Sequence, residues 1–188
     1  MPTLLLAALI ATIPCPPCSA QRILWADTVE LTVADFRGPL GDTRHAAEAN
    51  TGIKTRSRAG EDARTFVVEA ETFFDPCQSW FRRGRGTAAD SSTLAHERIH
   101  FDIAEVFARR LLRRYAEEID SHAEFLRRHD RIYDEVWREV DRTQQRYDRE
   151  VYDEPAATAR WRAWADAALA EEAEFAAKSI ELPMSGRR

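Results

Sequence analysis

The chain has 188 residues, of which 44% are apolar and 31% carry a charge. That length suffices for one domain with a hydrophobic core, and the composition is that of a globular protein, so an intrinsically disordered or fibrous chain is excluded. The formal net charge is −5 at pH 7, and the arginines are interleaved with acidic residues without forming a basic stripe. Nucleic acid is therefore not an expected partner.

An apolar run over residues 4–13 begins the chain and has the length of a signal-peptide core. Three prolines follow within residues 14–17, and the small residues Ser19 and Ala20 come next. The pattern predicts a signal peptide over residues 1–20, with cleavage after Ala20. A helix that spans a membrane needs about 20 apolar residues, so no permanent membrane span is expected. The expected location is the bacterial periplasm or the exterior of the cell.

Cleavage after Ala20 would leave Cys77 as the only cysteine. No internal disulfide is then expected, and the fold would depend on its core and on any bound metal. Nothing near Cys77 in the sequence would lower the pKa of its thiol, so a buried or half-buried thiol is a better interpretation than a nucleophile.

Residues 21–90 are predicted to be mainly strands. Residues 23–25 and 29–33 have strand composition, residues 59–62 resemble a hairpin turn, and residues 65–74 form the strongest strand of the chain. Residues 91–188 are mainly helical. Strands followed by helices, within one domain over residues 21–188, predict the α+β class.

The helical half divides into three predicted segments. The first covers residues 93–118, and residues 119–121 mark a turn or a kink before the second. Asp153-Glu154-Pro155 is a signal for the start of a last helix, which carries Trp161 and Phe175.

The first helix contains His96-Glu97-x-x-His100, a pattern that places a zinc ion and a general base on one helix. At about 100° per residue, His96 and His100 lie roughly 40° apart on adjacent turns, so both imidazoles can reach one ion. Glu97 lies beside that ion, where it can take a proton from a zinc-activated water.

Several features bear on whether this short motif is a metal site. Four candidate N-cap residues at positions 90–93 and an apolar face at helical spacing favour a rigid helix. Arg98 and Asp102 count against a metal site, since zinc proteases usually have uncharged residues at these positions. The alternative is an amphipathic helix with two solvated or hydrogen-bonded histidines. His122 and His129 raise the question of a second metal site, but solvated histidines explain them better.

The sequence resembles the bacterial zinc-protease-like family catalogued as domain of unknown function 922, whose members are exported peptidases. The resemblance covers roughly residues 24–164 and rests on six matches: Trp25, Phe36-Arg37-Gly38, Ser79-Trp80, Leu94-Ala95-His96-Glu97-Arg98-Ile99-His100-Phe101-Asp102-Ile103, Ala108-Arg109 and Tyr147-Asp148-Arg149-Glu150. It implies a zincin-like fold, in which a small N-terminal sheet packs on the metal-binding helix and long helices follow.

The chain departs from the family where a third zinc ligand is expected. The family pattern continues Thr-x-His-Gly after the Tyr-Asp-x-Glu match, and here residues 151–154 take its place, so Asp153 stands at the histidine position. Aspartate also binds zinc, which makes Asp153 the predicted third ligand. Asp148 is the alternative ligand, or an outer partner that orients one. An N-cap role would also explain Asp153.

These observations predict an exported zinc metallopeptidase in which His96, His100 and Asp153 bind Zn²⁺ and Glu97 is the general base. The substrate would be a peptide or protein that adds alongside an exposed strand, with residues 65–74 as the candidate strand. The alternatives are a catalytically degenerate zinc-binding or structural module of the cell envelope and a helical interaction protein without metal. The sequence does not determine the oligomeric state.

Overall fold

The computed structural model describes residues 18–41, 45–84 and 86–186, so the predicted signal-peptide core over residues 4–13 lies outside the described residues. An antiparallel sheet packs on helices, which confirms the α+β class. The strands are β1 (Ile23–Leu24), β2 (Ala47–Glu48), β3 (Thr51–Ala59), β4 (Thr65–Phe74), β5 (Trp80–Phe81) and β6 (Ser179–Pro183), and the helices are α1 (Thr87–Glu118), α2 (His122–Asp153) and α3 (Ala157–Glu171).

Strand β4 lies at the centre of the main sheet and has the bounds predicted for the strongest strand. It pairs with β3 along one side and with β1 and β6 along the other, always antiparallel. Its side chains alternate between the core and the opposite face, as expected for a strand with one buried face. The residues on the core face are Phe66, Val68, Ala70, Thr72 and Phe74.

The prediction that a peptide adds to residues 65–74 is wrong, because both edges of β4 are already paired. In the described part of the chain, β3 forms one edge of the main sheet, and β1 and β6 form the other. Hydrogen bonds from Asp75 N to Asn50 O and from Gly60 N to Thr65 O flank the β3–β4 pairing. Since bonded and non-bonded pairs alternate in an antiparallel ladder, the odd-numbered residues of β3 direct their backbone groups to the free edge.

Helix α1 occupies the centre of the core, between the sheet and the other two helices. Ile103, Leu111, Leu112 and Tyr115 on it are completely buried. They belong to one cluster that also contains residues of β4, α2, α3 and β6. Each fully buried side chain of this size contributes roughly 1.5–3 kcal/mol to folding, so α1 is held rigidly along most of its length.

Three local predictions differ from the structure. Residues 29–33 form no strand, because the Asp35 carboxylate accepts hydrogen bonds from the amide and hydroxyl of Thr32 and closes a short 3-10 helix, Val33–Asp35. Helix α1 begins at Thr87, before the start predicted at residue 93. Strand β6 near the end of the chain was not predicted. Its short sequence gains a strand conformation from pairing with β4.

Cys77 is not a free thiol, contrary to the prediction: it forms a disulfide with Cys18, and their Cα atoms are 5.5 Å apart. The prediction failed because cleavage after Ala20 would have removed Cys18. A chain that keeps this bond must therefore be processed, if at all, before Cys18. The disulfide ties the segment that precedes β1 to the loop that follows β4.

Replacing Cys77 with Ser should lower the free energy of unfolding by up to about 4 kcal/mol, the loop-closure value for cysteines separated by 59 residues. Ser19→Ala, an exposed change beside Cys18, is the control and should leave stability unchanged. Denaturant melts of oxidised protein measure both. Equal stability of the wild type with and without reductant would contradict the disulfide's role.

None of the helices within the described residues combines the length and the apolar character that crossing a membrane requires.

Candidate metal centre

Helices α1 and α2 form an antiparallel hairpin, and the motif lies near its open end. Residues 119–121 make the predicted turn, and Ser121 caps α2 by accepting a hydrogen bond from the Glu124 amide. Contacts between His100 and Gln144 and between Tyr115 and His129 show that the two helices run in opposite directions. The C-terminal part of α2 therefore lies against the histidines of α1.

The structure brings three potential metal ligands together: His96, His100 and Asp148. The Nε2 atoms of the two histidines are 3.0 Å apart. Oδ1 of Asp148 lies 2.8 Å from Nε2 of His100 and 3.2 Å from Nε2 of His96. The side chains of His96 and Asp148 are 27% and 50% exposed, so solvent reaches the group from one side.

These separations fit one face of a zinc tetrahedron. With zinc–ligand bonds of about 2.0–2.1 Å, neighbouring ligand atoms lie about 3.3 Å apart, close to the observed distances. Two imidazole nitrogens and a carboxylate oxygen are also a ligand set that zinc accepts in catalytic sites. The described residues thus offer three potential ligands, a number that would leave a tetrahedral ion one open position.

Gln144 determines which nitrogen of His100 faces this group. Its Nε2 donates to the backbone carbonyl of His100 at 2.9 Å, so its Oε1 is directed at Nδ1 of the same ring and accepts a hydrogen bond from it. With the proton on Nδ1, the lone pair of Nε2 points towards Asp148. Outer partners of this kind orient metal-binding histidines and raise their basicity.

When the imidazole of His100 is neutral and has its proton on Nδ1, two hydrogen-bond acceptors face one another. The Nε2 lone pair of His100 and the carboxylate of Asp148 lie within hydrogen-bond distance. A proton on Nε2 of His100 would let this ring donate to Asp148, whereas a metal ion between the three atoms would bind all of them.

The ring of Tyr147 packs against the imidazoles of both His96 and His100. Its ring stacks on His96, with centroids 4.7 Å apart, and meets His100 edge to face at 4.9 Å. Its hydroxyl donates to the backbone carbonyl of His96 at 3.2 Å, and the side chain is completely buried. Burial raises the Tyr147 pKa far above its ordinary value, so the hydroxyl stays protonated and remains a donor. Tyr147 is therefore a positioning residue.

Glu97 lies next to the histidines and is only 4% exposed. Its Oε2 accepts a hydrogen bond of 2.9 Å from the amide of Ala49, which lies between β2 and β3. Burial raises the pKa of the Glu97 carboxyl, against the opposing charges of His100 and His96. A carboxylate with a raised pKa accepts a proton more readily, as a general base must.

Electrostatics also keep Asp148 ionised. Burial alone would raise its pKa, but the hydrogen bonds and charges of His100 and His96 outweigh burial and hold it well below the usual range. For His100, burial lowers the pKa, but the hydrogen bond and charge of Asp148 outweigh that and raise it. At neutral pH the site therefore has a carboxylate anion that faces the two rings.

Asp153, the predicted third ligand, does not fit this geometry. It is the last residue of α2 and is exposed. Five residues after Asp148, it lies about 140° round the helix and about 7.5 Å further along the axis, so its side chain leaves the site. The capping role also fails, because Ala156 is the N-cap of α3. Asp148, the alternative ligand, takes the place predicted for Asp153.

Comparison of the chain with protein-family models, curated proteins and solved structures finds no match. The resemblance to the zinc-protease-like family therefore stays a prediction.

Arg98 and Asp102 carry charges that are unusual in a zinc motif. In the structure they bind α1 to its neighbouring segments. Asp102 is 1% exposed and accepts hydrogen bonds from Trp25 Nε1 at 2.7 Å and from Arg98 Nε at 3.0 Å. Arg162 of α3 binds its other oxygen. Arg98 also donates to the backbone carbonyls of residues 26 and 29. This network attaches the N-terminal segment and α3 to the motif helix.

His122 and His129 do not form a metal site with the described residues. His129 is hydrogen-bonded through Nδ1 to the Tyr115 hydroxyl at 2.6 Å and packs on Phe125. His122 meets the edge of Phe66. The sequence predicts solvated histidines, but both histidines pack against aromatic rings in the structure.

Gln144 is a residue of the candidate site that the sequence alone does not predict. Gln144, Tyr147 and Asp148 are spaced i, i+3, i+4, so they share one face of α2. That spacing is a signal, but it identifies the site only when α2 is known to lie antiparallel to α1.

Gln144→Leu should weaken zinc binding by about 10- to 100-fold, because it removes the group that directs Nε2 of His100 at the metal. Gln145→Leu is the matched control, since Gln145 is exposed on the same helix and should leave affinity unchanged. Competition with a chromophoric chelator measures both affinities. Equal affinities of the two variants would contradict the role given to Gln144.

Proposed function

We propose that the chain is an exported zinc metallopeptidase that hydrolyses peptide bonds. The observation that carries the proposal is the convergence of two histidine nitrogens and one carboxylate oxygen beside a buried glutamate. Histidines at i and i+4 with an intervening glutamate are the residues that this chemistry needs on one helix.

The roles of the residues follow from their positions. His96, His100 and Asp148 would hold zinc, which supplies Lewis acidity that activates water and polarises a carbonyl. Glu97 takes the proton of the attacking water and later delivers it to the leaving amine. Gln144 and Tyr147 keep the two imidazoles oriented, and Ala49 N–H holds one oxygen of Glu97.

The zincin-like fold is part of this proposal. An antiparallel sheet packed on a helix that carries both histidines supports it. Strand β3, with its free edge, replaces β4 as the strand beside which an extended peptide would bind. Backbone groups of its odd-numbered residues would pair with the peptide. Tyr133 of α2 already donates to one of them, the carbonyl of Ile53, at 2.8 Å. Thr51, nearer the site, is therefore the expected first contact.

Export is supported by two independent features. The apolar run at residues 4–13 has the length of a signal-peptide core. The disulfide between Cys18 and Cys77 is of a kind that persists in oxidising compartments such as the periplasm.

A zinc-binding module without turnover is the second candidate. The aspartate at the position of a family histidine favours it. Such a module would fill all four zinc positions with protein ligands, whereas a catalytic site keeps one for water.

Activity of the purified protein on an unfolded protein substrate separates the two candidates. We expect cleavage that a chelator abolishes and that one equivalent of zinc restores, while magnesium does not. Stoichiometric zinc without any cleavage would favour the binding module. Cleavage that persists in chelator would contradict the metallopeptidase.

A further inference from the structure

A cavity outside the candidate metal centre is lined by residues of α1, α2 and α3. Its volume is about 410 Å³, within the range of pockets that take small organic ligands. Its wall contains four arginines and two tryptophans: Arg110, Arg142, Arg146, Arg160, Trp161 and Trp164. Nothing in the proposed peptidase mechanism uses this cavity.

The tryptophans give the cavity a fixed aromatic surface. Trp161 and Trp164 meet edge to face with centroids 5.2 Å apart. Trp161 Nε1 donates to Glu150 at 2.9 Å, and the guanidinium of Arg146 lies 5.5 Å above the Trp161 ring. Trp161 is only 6% exposed, so the partly exposed ring of Trp164 is the surface that can receive a flat aromatic group with little loss of side-chain entropy.

The charges of the cavity leave one cation without a counter-ion. Arg146 pairs with Glu150, Arg160 with Glu154, and Arg110 with Glu172. Arg142, a neighbour in the same wall, is exposed and makes no ion pair with the residues that the structure describes. The wall therefore favours a ligand with a single negative charge, since guanidinium groups bind carboxylates and sulfonates through paired hydrogen bonds.

We propose that this cavity binds an organic monoanion that carries an aromatic ring, with the ring on Trp164 and the acid group at Arg142. Two aromatic side chains connect the wall of the cavity to the candidate metal centre. Trp161 packs against Tyr147, with centroids 5.4 Å apart, and Tyr147 stacks on His96. A ligand in the cavity is thus separated from a zinc-binding imidazole by two aromatic rings.

Calorimetric titration of full-length protein, freed of metal by a chelator and then dialysed, tests this site without any contribution from the metal centre. Three probes separate charge from shape: naphthalene-2-sulfonate, the neutral 2-naphthylmethanol, and methanesulfonate. We expect saturable 1:1 binding of naphthalene-2-sulfonate and at least tenfold weaker binding of the other two. Equal binding of the charged and neutral naphthalenes, or no binding of the sulfonate, would overturn the proposal.

Two exposed arginines of α2 provide matched variants. Arg142→Gln should weaken binding of naphthalene-2-sulfonate about tenfold, the loss expected for a hydrogen bond to a charged group. Arg138→Gln lies outside the cavity wall and should leave binding unchanged. The two variants share a chemistry and a helix, so equal thermal stability shows that both are folded. Similar effects of the two changes would overturn the assignment of Arg142.

Discussion

Replacing Glu97 with Gln should abolish peptide hydrolysis while zinc stays bound. The amide keeps the shape of the side chain and still accepts a hydrogen bond from Ala49 N–H, but it cannot take a proton from water. Loss of a general base lowers the rate by about 10²- to 10⁴-fold, so little turnover should remain. Single-turnover assays on a fluorogenic peptide measure the rate, and metal analysis of the same sample measures the zinc.

The control for this change is Glu139→Gln, which removes the same charge from an exposed position of α2. It should retain wild-type activity. If Glu97→Gln also retained activity, another group would have to take up the proton, and the role of Glu97 would be wrong.

Replacing Asp148 with Asn should weaken zinc binding by more than about 100-fold, a larger loss than outer partners of a metal site cause. The amide lacks the negative charge that faces both histidines at about 3 Å. Asp153→Asn is a matched control, since Asp153 belongs to the same helix and lies outside the cluster. Zinc affinities from chelator competition compare the two. A loss in the Asp153 variant with none in the Asp148 variant would reverse the ligand assignment.

The motif helix and the α+β class could be predicted from the sequence because both depend on local patterns. The strand composition of residues 65–74 predicted β4 with its bounds, and the spacing of His96 and His100 placed both on one helix face. The position of Glu97 beside the two histidines could also be predicted, because Glu97 follows His96 directly on the same helix.

The third residue of the candidate site, Asp148, could not be predicted in this way, because its position depends on how α2 packs on α1. The predicted break before Pro155 is present, since α2 ends at Asp153 and α3 begins at Ala157. Asp153 still belongs to α2, and the helical spacing directs Asp148 at the histidines. The roles of Arg98 and Asp102 also required tertiary structure, since their partners, Trp25 and Arg162, are distant in the chain.

Diffraction at the zinc absorption edge, from crystals grown with one equivalent of zinc, tests the central claim most directly. We expect one anomalous peak about 2.0–2.2 Å from Nε2 of His96, Nε2 of His100 and Oδ1 of Asp148, the distances of zinc bonds to nitrogen and oxygen. A map without a peak between these three atoms, in protein that is otherwise folded as described, would contradict the metal centre and the function built on it.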